Sequence, residues 1–132
     1  MKPKIVSWNV RGLNEVNRRS QIRHLLREWN ADIVCLQETK LKLINRKMVR
    51  SIWSWLYVDW VYLAAQGASS GILVLWDRRV VEKMKDFFGV YSVACSFRSM
   101  VDDFMWAFAG AYGPNIDHER RLLWDELAGL HS

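Results

Sequence analysis

Apolar and polar positions alternate through KIVSWNV (4–10), a pattern of period two that predicts a strand, with Gly12 supplying the turn after it. The period then changes. Within residues 17–29, Ile22, Leu25, Leu26 and Trp29 recur at helical spacing and face away from Arg18, Arg19, Arg23 and Arg27, so an amphipathic helix is expected. DIVCLQE (32–38) is short and almost continuously apolar, the signature of a strand covered on both faces. Residues 42–56 place Ile44, Met48, Ile52 and Trp55 on one side and predict a second helix.

The second half reads as strands: WVYLAA (60–65), GILVLWD (71–77), VVEKMKDF (80–87), VYSVACSF (90–97) and DFMWAFAGAY (103–112). The links between them are short and turn-like, which favours an antiparallel meander, because parallel neighbours need a long crossover. A last helix is expected after Pro114, with Leu123, Leu127 and Leu130 on its apolar face. The order strand–helix–strand–helix, meander, helix describes one sheet-based α/β (α+β) domain over 1–132, without repeats or linkers.

Composition narrows the class. With 51% apolar and 25% charged residues among 132, the chain is long enough for a real core and is not of disordered type. Eight tryptophans point to large packing residues rather than to a surface function. A formal charge of +5 suits a polyanionic partner such as nucleic acid. Cys35 and Cys95 lie in apolar runs without zinc-type spacing, so buried, reduced thiols and an intracellular location are expected. MKPKIVSWN has no signal-peptide character, and no apolar run is long enough to span a membrane.

Three strands end on residues that a core does not call for: Asn9, Glu38 within LQETK, and Tyr112 to Asn115 within GAYGPN. If these strands are neighbours, the three ends meet at one rim, where sheets of this kind carry ligand sites. A strand-tip carboxylate such as Glu38 suits Mg²⁺, which takes oxygen ligands and few protein carboxylates. Asn9 offers an amide beside it, Lys40 a positive charge, and Tyr112 and Asn115 hydrogen bonds to a phosphate oxygen. Each residue also has an ordinary reading. Glu38 can be a solvated turn residue, Arg11 an exposed cation, Tyr112-Gly-Pro a simple turn, and Asp117 a helix-capping carboxylate.

Taken in order, WNVRGLN, LQETK, SSGILVLWD, AYGPN and RRLLWDEL resemble the endonuclease/exonuclease/phosphatase superfamily, which contains abasic-site endonucleases and deoxyribonuclease I. More narrowly they look like the endonuclease domain of non-LTR retrotransposons, from Met1 to about Leu127. The resemblance implies a two-sheet β-sandwich flanked by helices, of which this chain carries the N-terminal part. It also implies phosphodiester hydrolysis with Mg²⁺ or Mn²⁺ and DNA as partner. Asn9 then matches an active-site asparagine, Glu38 the metal-binding glutamate, Tyr112 the active-site tyrosine and Asn115 a phosphate contact, with Lys40 and Arg11 as substrate-binding candidates. Some relatives carry an acidic metal ligand where Arg11 stands, so one metal position is implied.

Relatives continue into an Asp-x-Asn strand and a terminal Asp-His pair that this chain lacks, so a catalytically incomplete domain is expected. The sequence reading therefore prefers a non-catalytic retroelement remnant with weak nucleic-acid binding over an active, nuclear DNA-nicking enzyme. A phosphatase of the same superfamily is a third reading. Self-association through surface left by absent strands is expected as well.

Overall fold

The structure, a computed structural model, describes residues 4–54, 56–66, 70–89, 92–102 and 105–111, the last segment by its backbone from 106 onward. Seven strands and two helices follow in the order β1 (Ile5–Asn9), α1 (Val16–Trp29), β2 (Ile33–Gln37), α2 (Arg46–Ile52), β3 (Val58–Leu63), β4 (Ile72–Asp77), β5 (Val81–Phe88), β6 (Ser92–Ser99) and β7 (Met105–Ala111). They form a four-stranded sheet of order β1-β2-β4-β3 and a three-stranded sheet of order β5-β6-β7.

β1 and β2 pair in parallel, with Ile5 level with Ile33 and Asn9 level with Gln37. Parallel neighbours need a crossover, and α1 supplies it, laying Ile22 and Leu26 on the sheet. Trp8 meets Trp29 edge to face at 5.7 Å, fixing β1 against the end of the helix. β2 is flanked by β4 in antiparallel register, and Ile33 to Leu36 are fully buried, as the apolar run DIVCLQE requires.

Two cores result. Val34, Leu36, Leu73 and Leu75 face the helices, with Val10, Leu13, Val49 and Ile52. Ile33, Cys35, Ile72, Val74 and Trp76 face the second sheet, where Val93, Cys95 and Phe97 meet them. Trp76 and Phe97 bridge the sheets edge to face at 5.4 Å. Trp53 and Trp76 are both buried, the first in the helix-side core and the second between the sheets.

Two expectations need correction. The second helix covers Arg46–Ile52 rather than 42–56, because the Asn45 side chain accepts a hydrogen bond from the Met48 N–H at 3.0 Å and starts the helix there. Ile44 is still buried, but from the preceding loop. The meander is also not continuous. At Asp77 to Val80 the chain leaves the first sheet for the second, so only β5, β6 and β7 form one. Asp77 closes that passage, buried and held by the Arg79 guanidinium, which stacks 4.4 Å from the Tyr57 ring centre. The helix expected after Pro114 lies outside the described residues.

Gly71, at the start of β4, has φ +95°, and a Cβ there would lie 2.3 Å from the buried Thr39 hydroxyl. Gly71→Ala is expected to cost about 2–3 kcal/mol in urea unfolding, from backbone strain together with steric overlap. Burial between the sheets pushes the Cys35 thiol up to about 12 and the Cys95 thiol up to about 11, from an ordinary 9.0. Both raised values favour the neutral thiol in the folded chain. Their contribution to stability is therefore complete below about pH 9 and lost as pH rises towards 11 and 12. Urea midpoints measured from pH 8 to 11 should fall, and fall less steeply in Cys35→Ala/Cys95→Ala; equal slopes would contradict this.

Candidate active-site rim

The carboxyl ends of β1 and β2 point the same way because the two strands are parallel and in register. Asn9 closes the first, and Glu38 follows Gln37 at the close of the second. Strict alternation would send Glu38 to the helix-facing side with Val34 and Leu36. Instead its backbone turns left-handed, φ 56°, and the carboxylate meets the Asn9 side chain, whose Nδ2 donates to Oε2. The other end of the same amide is also engaged: Asn9 Oδ1 accepts from the Arg11 N–H at 3.1 Å. With both its ends used, the amide has a fixed orientation, and it holds one carboxylate oxygen in turn.

Strain gathers at this rim. Among the described residues four non-glycine positions have positive φ, and Arg11, Glu38 and Lys40 are three of them. The fourth, Asn30, simply ends α1. Such conformations cost of order 1–3 kcal/mol each and persist where surrounding bonds impose them. Those bonds are present here. Val10, Gly12 and Leu13 donate to the carbonyls of Gln37, Glu38 and Thr39 at 3.0, 2.7 and 2.9 Å. From the other side Thr39 and Lys40 donate to Gly71 and Ser70 at 3.2 and 2.6 Å. The segment 38–40 is thus clamped between the loop after β1 and the start of β4.

Arg11 and Lys40 are both exposed at this end of the sheet, and neither forms an ion pair among the described residues. The Lys40 stem passes over Gly12, whose missing side chain leaves Cδ 3.6 Å from where a Cβ would stand. Glu38 itself is partly exposed, so its remaining lone pairs face solvent. An anchored carboxylate and an oriented amide stand at this rim, with Arg11 and Lys40 on the same clamped segments, groups of the kind that can engage a hydrated cation or an oxyanion.

Asn9, Arg11, Glu38 and Lys40 are therefore brought together, whereas Tyr112 and Asn115 lie outside the described residues. The sequence reading missed the supports. Thr39 is fully buried and its hydroxyl accepts from the Leu41 N–H at 3.3 Å. Arg19, expected on the wet helix face, is half-buried and donates to the Leu13 and Asn14 carbonyls at 2.7 and 3.0 Å, tying the loop after β1 to α1. Gly71 had a readable signal, a glycine directly before an apolar strand; Arg19 had none. His24 is exposed on α1, 3.3 Å from Glu28 one turn later. Among the described residues no group of three or more His, Cys, Asp or Glu is assembled.

An exodeoxyribonuclease of Bacillus subtilis (strain 168) is 51% identical over 39 residues, which is 30% of this chain and 16% of that protein. An endonuclease/exonuclease/phosphatase family protein from Bacteroides thetaiotaomicron superposes with a TM-score of 0.70 at 13% identity, over 99% of this chain and 61% of that one. An AP endonuclease from Leishmania major gives 0.64 at 17% identity, over 91% of this chain and 43% of that one. At these identities the two structures establish the fold, and the chain spans less than two thirds of each protein it matches. The model of the endonuclease/exonuclease/phosphatase family matches residues 6–131, nearly the whole sequence, and the chain belongs to that family.

Proposed function

We propose that the rim around Asn9 and Glu38 is the phosphate-handling part of a metal-dependent phosphodiester hydrolase site, with DNA as the polyanion it engages. The observation that carries the proposal is the Asn9 amide holding the Glu38 carboxylate at the shared end of two parallel strands, with the backbone strained to permit it. A carboxylate fixed in this way is ready to accept a cation without paying for its own immobilisation. Arg11 and Lys40, carried on the same clamped segments and without an ion pair among the described residues, add the attraction for phosphate that a site of one acid would otherwise lack.

The donor set fits Mg²⁺ or Mn²⁺: an oxygen ligand, a single carboxylate, and solvent access for the waters such ions retain. Glu38 would hold the ion, which when bound supplies charge neutralisation at a phosphate oxygen. Asn9 orients the carboxylate, and Arg11 and Lys40 hold the strand that carries the phosphate. Tyr112 and Asn115 are proposed as further phosphate contacts on the motif AYGPN alone. The DNA-nicking, non-LTR retroelement character rests in the same way on WNVRGLN and LQETK. The exodeoxyribonuclease match and the AP endonuclease likeness favour nucleic acid over other phosphodiesters.

Binding and cleavage are separable in one experiment. Supercoiled plasmid incubated with the chain and Mg²⁺ should be bound, and any nicking should fall by roughly 10²-fold or more in Glu38→Ala, the scale of losing an electrostatic contribution of this kind. EDTA should abolish nicking in the unsubstituted chain. Glu38-independent nicking contradicts the assignment. Plasmid binding without any nicking would make the chain a non-catalytic nucleic-acid binder.

A further inference from the structure

We infer that a second site, in the groove between the C-terminal half of α1 and the segment that follows α2, binds a phosphate carried on an aromatic group, the chemistry of a nucleotide. The groove encloses about 260 Å³ and is lined by Arg23, Leu26, Arg27, Asn30, Trp53 and Ser54. That is near the lower bound for small-molecule sites and suits a ligand of few rings. Asn30 and Ala31 precede β2, whereas Glu38 follows it, so the groove lies about 15 Å from the rim at roughly 3.3 Å per strand residue. The inference does not rest on the hydrolase reading.

The charges argue for an oxyanion. Arg23 and Arg27 are one helical turn apart and share a face. Like charges at this spacing repel, and among the described residues neither guanidinium has an ion pair or a side-chain hydrogen bond. The neighbouring acid on the helix, Glu28, is taken up by His24 on another face. Arg27 has an ordinary explanation, since a cation in the last turn complements the helix dipole. Arg23 does not: it is half-buried, one turn earlier, with no acid paired to it among the described residues. A phosphate accepting from both forks removes the repulsion.

The floor argues for the aromatic part. Leu26 is 1% exposed and Trp53 5%, so the base of the groove is apolar and closely packed. Among the described residues the Trp53 indole N–H and the exposed Asn30 and Ser54 side chains have no hydrogen-bond partner, which leaves them open at the groove to the edge of a heterocycle. Guanidinium planes and a tryptophan together suit a flat ring better than an aliphatic chain. Free nucleotide and the phosphorylated end of a nucleic-acid strand present this same chemistry.

The test is an NMR titration of the full ¹⁵N-labelled chain with adenosine 5′-monophosphate, inorganic phosphate, adenosine, and a 5′-phosphorylated oligonucleotide. The Trp53 indole and Asn30 amide signals should shift saturably with the monophosphate, which should bind at least about tenfold more tightly than either of its parts, a step of about 1.4 kcal/mol. Arg23→Gln/Arg27→Gln should weaken binding by a similar factor while keeping the dispersed spectrum of the folded chain. Lys42→Gln/Lys85→Gln, which removes the same charge elsewhere, should leave it unchanged. A tighter, Arg23- and Arg27-dependent response to the oligonucleotide would identify a strand end as the source, and a weaker one the free nucleotide. No saturable shift at Trp53, or equal binding by the two double variants, overturns the inference.

Discussion

The parallel, in-register pairing of β1 with β2 is the constraint on which the rest depends. It sets Asn9 level with Gln37, so that Glu38 emerges one residue later at the same rim. A slip of one residue would exchange the two faces of β1, sending Asn9 towards the helices and Trp8 away from Trp29. The pairing also dictates α1, because the chain must return to the starting edge of the sheet before β2 can run alongside β1. With β1 and β4 at its two edges and a core on each face, β2 is enclosed on every side, which is why Ile33 to Leu36 are all apolar and buried.

Rigidity at the core and strain at the rim are two sides of one arrangement. Segment 38–40 is held by backbone bonds from both neighbours, and Gly71 allows those neighbours to close in by carrying no Cβ against Thr39. Arg19 contributes from the helix by binding the carbonyls of the loop after β1. An unstrained chain would let Glu38 follow the alternation of β2 and join the apolar face. The energy held in the left-handed turns is thus supplied by the hydrogen bonds of the neighbouring segments.

Much of this was legible in the residues. Period-two alternation located β1, helical spacing located α1, and the continuous run IVCLQ announced a doubly buried strand, each a consequence of burial geometry. The family motifs named Asn9 and Glu38, and the structure brings them into contact. What the sequence hid follows from long-range effects. The start of α2 depended on one capping side chain, Asn45, against an apolar spacing that continued on both sides of it. The crossing between sheets at Asp77 looked like a hairpin turn, because a short link says nothing about which sheet receives the next strand. Arg19 reads as a surface residue in the helical pattern, and its carbonyl partners become visible only when α1 docks.

The central claim is that Asn9 and Glu38 form one cation-accepting unit at the rim. Its most direct test is paramagnetic broadening of the chain's amide spectrum by substoichiometric Mn²⁺. The account predicts selective loss of the Asn9 side-chain amide and of the backbone amides of 10–12 and 38–40, reversed by excess Mg²⁺ and absent in Glu38→Ala. Broadening centred elsewhere, or identical broadening in Glu38→Ala, would contradict it.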